Sequence, residues 1–394
     1  MRADYLIVCL IAVLAFAGCS VPVRKEAVPQ NLTTQAQVPG LQEGRYRVGI
    51  DTEALTRDAV ESFYREAAHL KASGHQGPLP PAVFLAISGG GDDGAFGAGL
   101  LNGWTTAGDR PQFKLVTGVS TGALIAPFAF LGPTYDDELK HFYTESSPED
   151  ILEPRPVLAA LTSDALADNA PLRRLLAQVV DQRMLEAIAA EHEKGRMLLI
   201  ATVDLDARHT VLWNLTKIAA SRDPKALDLI HSLMIASAAI PAAFPPMMID
   251  VEVDGRPYQE MHVDGGTLSQ LFVYPPSLQV KELSRKHHVS RERRVYIIRN
   301  ARLDPDWANV DRRTMDIAER AISSLIHSQG VGDLYRVYLE AQRDGLDFNL
   351  AYIPASFDAS HRMDFDTEYM RALFRTAYEL AVKGYPWEKK PPGF

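Results

Sequence analysis

Six apolar residues in a row at 82–87 (Ala-Val-Phe-Leu-Ala-Ile) leave no side for water, so both faces of this segment are expected to be covered, as in a parallel-sheet strand. Apolar runs at 197–203, 209–213, 248–253 and 295–298, and a shorter alternating stretch at 112–117, predict further strands. Asp254-Gly255 predicts a tight hairpin after the 248–253 strand. Between these, residues 136–143, 172–190, 228–238 and 311–328 repeat apolar positions at helical spacing, and small residues at 95–101 and 123–126 predict helices that begin just after two of the strands. Near the C-terminus Met370, Leu373, Phe374, Ala377, Tyr378, Ala381 and Val382 form one core-facing stripe, which Gly384 is placed to end. Alternating strands and helices make this an α/β chain. Residues 45–394 read as one domain, with its motifs at 83–266 and a helical extension at 300–394. Residues 146–168, polar and proline-bearing ahead of the 172–190 helix, are a candidate cap.

The N-terminus follows a different pattern. Residues 5–16 are an uninterrupted apolar run, too brief for a comfortable membrane span, and lead into Ala17-Gly18-Cys19-Ser20. This predicts a signal peptide over 1–18. Its ending resembles a bacterial lipoprotein signal, which implies lipidation of Cys19 and, with Ser20 next, sorting to the periplasmic face of a Gram-negative outer membrane. Phe16 stands where such signals usually have Leu, and Ala15-Phe16-Ala17 also fits ordinary cleavage; retention as an uncleaved anchor is a third reading. Residues 19–44, rich in Pro, Gln, Thr and Val without helical period, are expected to be a flexible tether. The chain has only two cysteines, and Cys9 lies in the segment removed, so a mature chain has no intrachain disulfide. With 394 residues and 46% hydrophobic composition a core can carry the fold unaided. The net charge of −9 argues against a nucleic-acid partner and against a polybasic grip on anionic lipid.

The candidate chemistry starts at Gly118-Val119-Ser120-Thr121-Gly122, a G-x-S-x-G sequence between the 112–117 strand and the following helix. A serine on such a strand-to-helix turn is presented as a nucleophile, and the flanking glycines Gly118 and Gly122 let the backbone turn tightly. Upstream, Gly89-Gly90-Gly91 joins a strand to a helix, where successive N–H groups and the helix dipole can hold the negative oxygen of an ester under attack. A phosphate loop would need Gly-Lys-Ser/Thr there, and a dinucleotide site an acidic ribose ligand; both are missing. Downstream, Asp264-Gly265-Gly266 places a carboxylate at a strand end. Alone it is a turn; beside a candidate nucleophile it is the best base on offer. After Asp264, His287, His288, His327 and His361 are the candidates for a triad histidine, none within a motif, and His262 shares the strand face of Asp264. No His/Cys spacing points to a metal, and no cofactor is implied.

The ordered set Gly-Gly-Gly-x-x-Gly, G-x-S-x-G and Asp-Gly-Gly, with the Ala236–Pro246 stretch (Ala-Ser-Ala-Ala-Ile-Pro-Ala-Ala-Phe-Pro-Pro), resembles the patatin-like phospholipase family over about half of the chain. The resemblance implies a three-layer α/β/α fold around a mostly parallel sheet and a Ser-Asp dyad without histidine. Ser120 is then the nucleophile, Asp264 the base, and the amides of Gly89, Gly90 and Gly91 the oxyanion hole. The implied substrate is a lipid carboxylic ester, cleaved by phospholipase A or lysophospholipase chemistry through an acyl-enzyme, with activity that falls on acidification without a histidine-like midpoint. One departure stands out: where the family usually has Arg or Lys, this chain has Asp93, beside Asp92, and two acids near an oxyanion site oppose its negative charge unless they point away. The stretch Phe244-Pro245-Pro246-Met247-Met248 reads as acyl pocket, membrane-facing surface or a rigid loop packed on the core. An esterase or acyltransferase for soluble substrates, and a non-catalytic lipid-binding lipoprotein, are the alternatives.

Overall fold

Nine strands make the main sheet: β1 (Arg45–Arg47), β2 (Ala82–Ile87), β3 (Leu115–Val119), β4 (Met197–Asp204), β5 (His209–Asn214), β6 (Met247–Val253), β7 (Arg256–Asp264), β8 (Arg293–Arg299) and β9 (Asp347–Tyr352). They belong to a computed structural model that describes residues 23–41, 43–156 and 163–394; the predicted signal peptide and Cys19 lie outside the described residues. The strand order is β1-β5-β4-β3-β2-β8-β9. From β4 to β9 the neighbours are parallel, while β1, β5 and the β6–β7 hairpin attach antiparallel around β4.

Burial explains the parallel part. Val83, Leu85 and Ile87 of β2 join the apolar cluster on one face, and Ala82, Phe84 and Ala86 join that on the other. The second face is covered by α1 (Thr52–Ala72) and by the inner half of a long helix, Thr314–Asp344, whose Leu334, Val337 and Ala341 are buried. The first is covered by α2 (Gly94–Ala107), α3 (Thr121–Leu131), α4 (Asp136–Thr144), α5 (Ala170–Val179), α6 (Gln182–Glu193) and α7 (Ala226–Ser237). Numbered in order, the long helix is α8 and the final one, Thr367–Val382, is α9. The result is a mixed α/β architecture with helices on both sides of a mostly parallel sheet.

Several expectations are corrected. The 172–190 helix is two helices, because the Asp181 carboxylate accepts the Met184 N–H at 2.8 Å and caps a new start. Residues 300–394 are not an appended extension: β9 pairs with β8 as a strand of the sheet, and the α9 stripe packs on α2 so closely that a Cβ at Gly99 would lie 2.2 Å from the Phe374 carbonyl oxygen. The expected tether is packed over residues 24–41. Gln37 pairs with Glu252 of β6 and Ala27 with Gln259 of β7, Val28, Ala36 and Val38 are buried, and Arg24 donates to Asp206 at 2.7 and 3.1 Å. The β6–β7 hairpin has free strand edges, and this segment covers them. The hairpin turn itself is as predicted, with Asp254 and Gly255 both at positive φ (51° and 78°).

Candidate active site

The parallel strands β2, β3 and β4 end at the same side of the sheet, and the candidate residues collect there. Ser120 is the first residue after β3 and has φ 55°, ψ −127°, a conformation that costs a non-glycine residue on the order of 1–3 kcal/mol. What holds it is local. A Cβ at Gly118 would lie 2.4 Å from the Gly122 carbonyl oxygen, and one at Gly122 would lie 2.3 Å from that of Ile87, so the elbow closes only with glycine at both positions. The Ser120 N–H donates to Ser237 Oγ at 3.1 Å, and that hydroxyl donates to the Ala201 carbonyl at 2.7 Å. Ser237, at the end of α7, lies in the alanine/serine-rich stretch, but no sequence signal singled it out.

Sheet register brings Asp264 to this point. On one edge of β4, Ala201 pairs with Val119, the last residue of β3, and the next residue, Thr202, pairs with Asp264, the last residue of β7. The Asp264 N–H donates to the Ala239 carbonyl at 2.9 Å, and its Oδ1 accepts the Gly266 N–H at 2.6 Å. Oδ2 is buried and has no hydrogen-bond partner among the described residues. Burial pushes this carboxyl up to about 7, with the neighbouring Ser120 hydroxyl and the Gly266 N–H pulling the other way. The Ser120 hydroxyl thus lies close enough to favour the anion without being aligned on Oδ2.

The three glycines of the upstream loop do not play one part. Gly89 donates its N–H to the Gln270 carbonyl at 3.2 Å, so it is engaged in the fold and is not a free oxyanion donor. Gly90 and Gly91 have no acceptor for their N–H groups among the described residues, and Gly91 lines the pocket that contains Ser120. Gly90 has φ 155°, and a Cβ there would lie 2.0 Å from the Asn300 carbonyl oxygen. Asn300, just past β8, staples the loop: its N–H reaches Ser88 Oγ at 2.9 Å, its amide reaches the Ser88 carbonyl at 3.0 Å, and its Oδ1 accepts the Gly97 N–H at 3.0 Å. Asp333 of α8 fixes the loop after Asp264 from behind, accepting from Gln270 N at 2.6 Å and Ser269 Oγ at 3.2 Å. Neither residue stood out in the sequence, since each acts across the sheet on distant backbone.

The two acids point away from the site, toward the C-terminal segment. Asp92 Oδ2 accepts the Phe365 N–H at 2.8 Å and lies 2.7 Å from His361 Nε2; Asp93 Oδ1 accepts the Tyr369 hydroxyl at 2.5 Å. Burial pushes Asp93 up to about 7, against the Tyr369 hydrogen bond and with help from the Asp92 charge.

The Ser120 pocket is narrow and apolar, walled by Leu124, Phe142, Ile151, Leu172, Phe244 and Met370. Phe244 therefore belongs to the pocket, and Ser146 and Ile151 show that the candidate cap region borders it. No histidine lines it. His262 is fully buried elsewhere, 2.8 Å from Thr202 Oγ1 and 3.1 Å from Glu260 Oε2; His361 is engaged by Asp92, and His287 by the Tyr64 hydroxyl at 3.0 Å. A larger apolar cavity lies at the opposite end of the strands, between α1 and the short helix Val280–Lys286; His287 lines it, and Ser120, Asp264 and the 89–91 glycines do not.

Residues 85–275 match the family described as patatin, patatin-like phospholipase. No curated protein sequence matches the chain. Among solved structures it is similar to VipD from Legionella pneumophila, at 12% identity and TM-score 0.33 over 78% of this chain and 67% of that one. It is similar also to the type III effector protein ExoU, at 14% identity and TM-score 0.27 over 78% of this chain and 54% of that one, so it spans about half of ExoU's length.

Proposed function

The chain carries a patatin-like phospholipase domain over residues 85–275, the domain of a lipid hydrolase, and from that premise we propose that it cleaves carboxylic esters of lipids through a Ser120–Asp264 dyad. The observation that carries this is the adjacency of Val119 and Asp264 on one edge of β4, which sets the Ser120 hydroxyl beside a buried carboxylate whose Oδ2 is unengaged. Asp264 in its anionic form accepts the Ser120 proton as Oγ attacks the acyl carbonyl. The oxyanion is held by the Gly90 and Gly91 N–H groups at the start of α2. Collapse expels the alcohol or lysolipid, which takes the proton from Asp264 and leaves an acyl group on Ser120; water, deprotonated by Asp264, then releases the fatty acid and restores the serine. The apolar walls suit an acyl chain, and the diversion of Asp92 and Asp93 supports an oxyanion site free of opposing charge. Cys19, if lipidated as its signal implies, holds the enzyme at a membrane surface.

The test is turnover of a chain-length series of esters and of phospholipid vesicles by wild type, Ser120→Ala and Asp264→Asn, each checked for folding. Loss of turnover in both variants, with long chains preferred at an interface, is expected. Lipid binding without turnover in all three proteins contradicts the reading and favours a binding protein.

A further inference from the structure

Phe365 lies outside the matched domain, in the lining of the Ser120 pocket, and it is held there in an unfavourable conformation. Its φ is 58°, the left-handed region that an aromatic residue rarely adopts. Three contacts fix the turn. The Phe365 N–H donates to Asp92 Oδ2 at 2.8 Å, Arg362 Nε donates to Asp366 at 3.1 Å, and Asp366 caps α9 by accepting the Glu368 N–H at 3.0 Å. The next residue, Thr367, donates its hydroxyl to the Ser146 carbonyl at 2.9 Å, which ties the same turn to the segment after α4. Asp92 directly follows Gly91, so one carboxylate joins the loop of free N–H donors to the turn that carries Phe365. A carboxylate can accept a backbone N–H, as Asp92 does from Phe365.

Resting on the dyad reading above, we propose that Phe365 sets the bulk of the acyl group admitted to Ser120, and that Asp92 is the residue that positions it. Phe365 lines the same pocket as Phe142 and Phe244, so its ring takes up space that a substrate would need. The hydrogen bond from its backbone to Asp92 is the contact that ties the strained residue itself to the glycine loop, so removing the acceptor is expected to loosen the ring. Asparagine retains a side-chain carbonyl at that position and is expected to preserve the arrangement.

The experiment compares the rates at which a straight-chain alkyl fluorophosphonate and one bearing a bulky branched group label wild type, Phe365→Ala, Asp92→Ala and Asp92→Asn. Folding is checked by thermal melting. The ratio of bulky to straight-chain labelling should rise by roughly tenfold in Phe365→Ala and Asp92→Ala, the scale on which a misfitting group is rejected by an apolar pocket. It should stay near the wild-type value in Asp92→Asn. An unchanged ratio in folded Phe365→Ala and Asp92→Ala overturns the proposal, and so does an Asp92→Asn protein that behaves like Asp92→Ala. Straight-chain labelling of wild type separates the two readings: if it fails, the dyad falls and this proposal with it; if it succeeds while the ratio stays fixed, only this one falls.

Discussion

Ser120 leaves β3 where Asp264 arrives at the end of β7, the two strands meeting β4 at successive residues, Ala201 and Thr202. The sheet register, not a local motif, makes the pair. It also buries the carboxylate, and that burial raises its pKa to about 7.

A general base must be deprotonated to act. kcat/KM is therefore expected to rise with pH through about 7 and level off above it, as the Asp264 anion forms. This differs from the expectation of a profile without a histidine-like midpoint, because burial raises the Asp264 carboxyl into that range. Replacing His262 or His361 should leave the midpoint in place, as read from pH–rate profiles on a soluble ester; a midpoint that disappears with either histidine argues against Asp264 as the base.

The same burial costs stability. Asp264 has a higher pKa folded (about 7) than its ordinary value of 3.8, so the folded state favours the protonated form, and the penalty grows as pH rises from about 4 to 7 and is constant above. At about 1.4 kcal/mol per pH unit this is on the order of 4 kcal/mol when complete. Asp264→Asn, which still presents an oxygen to the Gly266 N–H, should exceed wild type in unfolding free energy by a margin that widens between pH 5 and pH 7.5. Denaturant melts at the two pH values read it directly.

Gly90→Ala should nearly abolish turnover while leaving most secondary structure in place. Its Cβ would meet the Asn300 carbonyl, displacing the loop whose Gly90 and Gly91 N–H groups are proposed to hold the oxyanion. Loss of one oxyanion donor lowers kcat by roughly 10²–10³-fold. Circular dichroism and kcat on the same preparation distinguish displacement of the loop from unfolding.

Packing of residues 24–41 predicts that trimming the N-terminus past them destabilises the domain. Val28 and Val38 are buried against the β6–β7 region, and burying each valine is worth about 1.5–3 kcal/mol. A chain starting at residue 42 should melt well below one starting at residue 23. Equal melting temperatures would restore the tether.

Local features were legible because they are written in adjacent residues. The apolar run of β2, the Asp254-Gly255 turn, the glycine-flanked Ser120 and the α9 stripe each follow from neighbours in sequence. What was not legible depends on distant partners. Asp92 and Asp93 looked like a liability because the groups that donate to them, the Phe365 N–H and the Tyr369 hydroxyl, lie at the other end of the chain. Asn300, Ser237 and Asp333 serve backbone groups far from themselves. Gly89 differs from Gly90 and Gly91 only because Gln270 returns beneath it. β9 and the 24–41 segment carry mixed polarity because they sit at sheet edges, where alternation is weak.

The most direct measurement is the rate at which a small alkyl fluorophosphonate modifies the protein, with the site located by peptide mass spectrometry, in wild type and Asp264→Asn. One label per chain on the peptide containing Ser120, formed at least a hundredfold more slowly in folded Asp264→Asn, is the predicted result. Absence of label, a label on another residue, or an undiminished rate without the Asp264 carboxylate would contradict the Ser120–Asp264 dyad.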